Sequence, residues 1–154
     1  MKKYTPQEAL ARIHRYCAYQ ERSHQEVRQK LFGYGLGEDE VDELLAQLIT
    51  SGYLNEERYA KAFAGGKFRL KKWGRLKIIQ ALEAQGLSKN CIRSGLGEID
   101  SSDYEESLRK ILEKKVAEVE VENIYSQRDK LSKFCIMKGY EPELVWKLLK
   151  EILR

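Results

Sequence analysis

Residues 67–79 read KFRLKKWGRLKII, a stretch whose side chains are suited to binding anions. Lys67, Arg69, Lys71, Lys72, Arg75 and Lys77 surround Trp73 and Gly74. The pattern predicts a helix opening at Arg75, where cations are unfavourable because aligned peptide dipoles place about half a positive charge at a helix N-terminus. A cationic helix start therefore suits a negative ligand from outside. Glycine at position 74 would leave the first backbone N–H groups uncovered, and phosphate is the anion such ends commonly hold. All eight residues are candidate contacts to DNA or another polyanion. Trp73 could plug the angle between two helices or offer a platform for a stacked base.

The charge around this stretch is segregated. Residues 1–57 carry 7 basic and 10 acidic side chains, residues 58–97 carry 10 and 1, and residues 98–154 carry 11 and 13, so a chain of net charge +4 has a strongly cationic middle. No acid stands between Glu57 and Glu83. A solvated basic face is the plain alternative, but 25 consecutive residues without an acid, in a chain with 24 acids, are hard to attribute to solubility alone. Such a block predicts a polyanionic partner before a small substrate.

Enzymatic chemistry finds no support. Gly65-Gly66-Lys67 is not a phosphate loop, which would need glycine at Lys61 and a hydroxyl residue at Phe68. His14 and His24 fall on separate predicted helices without the partners of a triad or metal site, and read as surface histidines. Cys17, Cys91 and Cys135 are odd in number and widely separated, so they read as small core residues. The acids Glu38, Asp39, Glu40, Asp42 and Glu43 lack calcium-loop spacing and suit the first turn of a helix. Neither catalysis, nor a cofactor, nor a metal is expected.

The elements that must position the basic stretch emerge from a repeat anchored on Gly35, Gly86 and Gly139. Eight and four residues before these glycines stand Val27 and Leu31, Ile78 and Leu82, Leu131 and Cys135. One residue after come Leu36, Leu87 and Tyr140; six, ten and thirteen after come Val41, Leu45 and Leu48, then Ile92, Leu96 and Ile99, then Val145, Leu149 and Ile152. All eighteen are apolar. The spacing predicts a helix with an i, i+4 apolar face, a stop at a left-handed glycine, and a second helix with apolar i, i+4 and i+7 positions. Further amphipathic helices over 6–20, 56–70 and 102–123 would open each unit, with Asn55 and Ser101 or Ser102 as N-caps.

The chain thus reads as all-α, with three tandem three-helix repeats over 1–54, 55–100 and 101–154 stacked into an elongated, curved body. One segment dissents: in VAEVEVEN, residues 116–123, valines alternate with acids at period two, which favours strand locally. The repeat aligns Ser23 with Gly74, and Glu26 with Lys77. Ser23-x-x-Glu26 is a capping box. The middle repeat lacks one, which leaves its helix end to an external anion. Gln127, Arg128 and Lys130 take the same places in the third repeat, diluted by Asp129.

A helix-turn-helix reading is weaker. The helix that would enter a major groove opens with acids in the first repeat and with Glu141 and Glu143 in the third; only Ser88, Lys89, Asn90 and Arg93 of the second could approach DNA. The N-terminus has no apolar core behind its lysine pair, and no stretch reaches the eighteen or more apolar residues of a membrane span, so a cytoplasmic location is expected.

The sequence resembles the RecX family of bacterial regulators of the RecA recombinase. The resemblance rests on RSHQEVRQKLFGYGL, LITSGYLNEERYAKAFA, KKWGRLKIIQALEAQGL and RDKLSKFCIMKGYEPELVWKLL, and runs from about Ala9 to the end. It implies three tandem three-helix repeats, and a non-enzymatic modulator that binds the recombinase filament on single-stranded DNA and suppresses strand exchange, ATP turnover and co-protease activity; a monomer is expected. The runner-up function is a stand-alone helical module that binds nucleic acid without sequence preference.

Overall fold

In this computed structural model residues 3–118 and 123–153 are described, and they form nine α-helices with no strand among them. These are α1 (Pro6–Tyr19), α2 (His24–Gly33), α3 (Glu38–Thr50), α4 (Glu56–Lys71), α5 (Arg75–Ala84), α6 (Lys89–Leu96), α7 (Ser101–Glu118), α8 (Ile124–Met137) and α9 (Pro142–Ile152). The chain is an all-α repeat of three-helix units.

Local chemistry sets the helix ends. Thr5 and Glu8 form a capping box at α1, with Thr5 Oγ1 accepting from the Glu8 amide at 3.2 Å. At α2, Ser23 Oγ accepts from the Glu26 amide at 3.0 Å and Glu26 accepts from the Ser23 amide at 2.9 Å. Asn55 caps α4 through the Arg58 amide at 2.9 Å. At α7 the cap is Asp100, which accepts from the Asp103 amide at 3.0 Å, and not Ser101 or Ser102, which already lie in the first turn. A carboxylate caps as well as a hydroxyl, so sequence alone does not separate the two. The helix stops are as the spacing predicts: Gly35, Gly86 and Gly139 have φ of 90°, 81° and 101°, a region costly for residues with a Cβ.

Fifteen of the eighteen repeat positions are buried, while Leu45, Leu96 and Ile152 are half-buried. The position nine residues after each glycine does better: Leu44, Gly95 and Leu148 are all buried. These helices face inward with an i, i+3, i+7 stripe. Gly95 fits because a Cβ there would stand 2.7 Å from the Ala60 carbonyl oxygen of α4.

Compactness divides the chain into two units that share the middle repeat. The first comprises Met1–Ala62 and Leu82–Gly95; the second comprises Phe63–Ala81 and Leu96–Arg154. In the first unit Ala9, Ile13 and Cys17 of α1 pack with Val27, Leu31, Val41 and Leu48 of α2 and α3. The second unit is built on Tyr104, whose ring centroid lies 5.8 Å from Phe68 and 5.0 Å from Tyr140, with Leu108, Leu112, Leu131 and Leu148 completing the core.

Two local expectations change. The third repeat's middle helix begins one turn early, because Asn123 caps it by accepting from the Ser126 amide at 2.9 Å; Gln127, Arg128 and Lys130 therefore lie inside the helix. Of the strand-leaning segment, Val116 to Glu118 are helical and Asn123 is extended, whereas 119–122 lie outside the described residues. Both histidines are half-exposed and engaged: the His14 ring stacks on Tyr53 at 4.3 Å, and His24 Nδ1 lies 3.6 Å from Glu56 Oε1. Cys17 and Cys135 are buried as expected, and Cys91 is half-buried.

Candidate nucleic-acid interface

The N-terminus of α5 is closed from within, which corrects the anion-site expectation. Gly74 is buried and donates its amide to the Lys138 carbonyl at 2.8 Å; the Leu76 amide donates to the Gly139 carbonyl at 2.9 Å. Between them, the Arg75 amide donates to the Tyr104 hydroxyl at 2.9 Å. That hydroxyl donates in turn to Glu141 Oε1, and Glu141 Oε2 accepts from Arg75 Nη1 at 2.9 Å. The carboxylate missing from position 77 thus arrives from residue 141. The Arg75 guanidinium also lies 3.9 Å from the Tyr104 ring centroid. Burial, and then the bond to Glu141, push the Tyr104 phenol above its ordinary range, so it stays protonated as a donor. Gly74 and Arg75 are held by the fold, and neither has the free groups that an anion cradle needs.

The other candidates divide by surroundings. Trp73 is half-buried and edge-on to Phe63 at 6.2 Å, with the ammonium groups of Lys67 and Lys77 at 4.9 and 4.5 Å from its ring centroid. The indole thus gathers two cations from α4 and α5. Arg69 is exposed but turns back over its own helix, where a Cβ on Gly65 would meet its Nη2 at 2.7 Å. Lys71 and Lys72 are exposed beyond it.

Pairing separates these cations from their neighbours. Arg58 is bound by Glu21 at 2.7 Å, Lys61 by Glu57 at 3.3 Å and Arg75 by Glu141 at 2.9 Å. Among the described residues, Lys67, Arg69, Lys71, Lys72 and Lys77 form no ion pair. Repulsion among unpaired like charges is a standing cost, relieved by an anionic partner. In the second repeat, Ser88 caps α6 through the Cys91 amide at 3.2 Å, and Lys89, Asn90 and Arg93 are exposed.

Sequence reasoning missed a set of cations in the third repeat. Lys114 and Lys115 of α7, with Lys138 after α8, join Lys72 around Phe134 in a cavity of about 220 Å³. Net charge hid them, since residues 98–154 hold more acids than bases. The i, i+4 spacing of Lys110 and Lys114 was the available signal. Among the described residues no cluster could hold a metal ion, and no helix is long and apolar enough to cross a membrane.

Comparison with known proteins follows the repeat. The family description "RecX, first three-helix domain" matches residues 9–48, and "RecX, second three-helix domain" matches residues 55–96. The regulatory protein RecX of Clostridium perfringens strain 13 is 32% identical over 122 residues, covering 78% of this chain and 57% of that protein. The chain therefore spans little more than half the length of that relative. The regulatory protein RecX of Amycolatopsis mediterranei strain U-32 is 24% identical over 97% of this chain and 87% of its own length. A crystal structure of RecX from Lactobacillus salivarius superposes with a TM-score of 0.85 over 95% of both chains at 20% identity, a likeness of fold.

Proposed function

The chain belongs to the RecX family, and from that premise we propose that it is a non-enzymatic regulator of a RecA recombinase. It binds the filament that the recombinase forms on single-stranded DNA and inhibits ATP turnover, strand exchange and co-protease activity. Its place is then cytoplasmic, in homologous recombination, DNA repair and the SOS response.

The observation that carries this reading is the group of five cations, Lys67, Arg69, Lys71, Lys72 and Lys77, which lie in an acid-free span of the chain and have no carboxylate partner among the described residues. They face DNA or an acidic surface of the filament, and the acidic opening of α3 meets basic protein surface. Trp73 holds Lys67 and Lys77 in place; Gly74 and Arg75 position α5.

The experiment measures ATP hydrolysis on preformed filaments of the cognate recombinase, with less than one copy of this protein per recombinase subunit. The parent slows hydrolysis, and Lys71→Glu/Lys72→Glu does so much less. A parent that binds bare DNA but leaves hydrolysis and strand exchange untouched is instead a stand-alone nucleic-acid-binding module.

A further inference from the structure

We propose that a groove of the second unit, running from Arg69 and Lys72 past Lys114 to Lys138, tracks the phosphate backbone of single-stranded nucleic acid and stacks a base on Phe134. The proposal rests on the DNA-facing reading above and extends it to the third repeat.

Two cavities, of about 490 and 220 Å³, share Lys72, Ile111 and Lys114 in their walls and so adjoin one another. Lys110 and Lys115 in the walls are offset by Glu106 at 3.8 Å and Glu118 at 3.4 Å, and Asp103 is a third wall carboxylate, so the cations outnumber the acids six to three. Among the described residues Arg69, Lys72, Lys114 and Lys138 pair with no carboxylate. Phe134 is 37% exposed, with the ammonium groups of Lys115 and Lys138 at 4.4 and 5.8 Å from its centroid. An aromatic ring beside cations is the arrangement that stacks a base and neutralises its phosphate together.

Lys72 supplies an independent observation. Its φ of 59° makes it the one non-glycine residue in the left-handed region among those described, where Gly35, Gly52, Gly86 and Gly139 fill the other positive-φ positions. Holding a lysine there carries a steric cost that glycine would spare. The backbone keeps that conformation through the Tyr140 hydroxyl, which donates to the Lys72 carbonyl at 3.0 Å. What the conformation retains is a cationic side chain in the wall of both cavities. A row dominated by lysine binds phosphate as a set of point charges.

The test is fluorescence anisotropy of labelled oligo(dT) with the full chain across a salt series. Lys114→Glu/Lys138→Glu lowers the slope of log affinity against log salt by about 1.4, roughly 0.7 per phosphate contact. Lys130→Glu/Lys133→Glu makes the same charge change on α8, outside the walls of both cavities, and leaves most of the slope in place. Phe134→Ala weakens binding about five-fold or more, the loss of one stacked base, at an unchanged slope. Circular dichroism confirms that each variant is folded. The groove is overturned if the two double variants lose equally, or if polyglutamate displaces the protein as well as oligo(dT) does. Filament binding is scored separately: its loss in the parent removes the regulator and leaves the groove, whereas oligo(dT) binding indifferent to the groove variants removes the groove and leaves the regulator.

Discussion

Gly74 and Gly139 meet backbone to backbone. A Cβ at position 74 would collide with the Gly139 carbonyl carbon, and one at position 139 would stand 2.6 Å from the Lys77 amide nitrogen. The two glycines let the start of α5 lie against the α8–α9 turn, which takes the amides of Gly74 and Leu76. A motif that looks like an anion cradle in one dimension is a packing joint in three.

This joint predicts opposite outcomes for two glycines. Gly74→Ala must displace backbone and should cost about 3 kcal/mol, the upper end of the roughly 1–3 typical of overpacking. Gly66 lies inside α4 with nothing within 4 Å of a Cβ, so Gly66→Ala should stabilise by about 0.5–1 kcal/mol. Urea unfolding at equilibrium distinguishes them; equal, small effects would deny the joint.

Ser23 should matter more than an ordinary cap. It is fully buried, accepts from the Glu26 amide at 3.0 Å and donates to Gln85 Oε1 at 2.6 Å. Ser23→Ala removes both bonds, so a loss of about 2 kcal/mol is expected, against about 1 for capping alone. Gln85→Ala, measured in parallel, should recover only the second part.

Charge reversal should separate binding from folding within five residues. Lys71→Glu and Lys72→Glu alter exposed side chains and leave the melting temperature nearly unchanged. Arg75→Glu sets a carboxylate beside Glu141 and should lower it by several degrees, because 1 kcal/mol corresponds to about 2–8 °C in a domain of this size range. Thermal melts of the three variants decide the matter, and an Arg75→Glu protein as stable as the parent would contradict the internal ion pair.

Alkaline pH should weaken the second unit. Burial pushes the Cys135 thiol from an ordinary value of 9.0 up to about 11. The folded state therefore resists ionisation: its stability is full below pH 9 and falls as pH rises from 9 through 11, at up to about 1.4 kcal/mol per pH unit. Melting temperature against pH should show this decline, and Cys135→Ala should flatten part of it while lowering stability at neutral pH.

Much of the fold was legible because its causes are local. A glycine stop, a capping box at Ser23 and apolar spacing each act within a few residues, and they marked the helices of all three repeats. The inward stripe at Leu44, Gly95 and Leu148 escaped because its middle member has no side chain, and its fit depends on Ala60 of another helix. Asp100 displaced the serines as a cap for want of any distinguishing local signal. The candidate site was legible in composition and misread in geometry. The carbonyls that close α5, those of Lys138 and Gly139, come from more than sixty residues away and the Tyr104 hydroxyl from 29, and no local pattern announces them. Nor could spacing bring Lys72 beside Lys114 and Lys138, since that requires α4, α7 and α8 to be packed.

The central claim is that this protein acts on a recombinase filament, and salt tests it most directly. Bare-DNA affinity of a basic surface collapses as salt rises, because it is driven by counterion release. A regulator that also grips protein retains its hold. Co-sedimentation of this chain with preformed filaments of the cognate recombinase, at a salt concentration that abolishes its binding to naked single-stranded DNA, should leave it in the pellet. Its complete release into the supernatant under those conditions, with the filaments intact, would contradict the account.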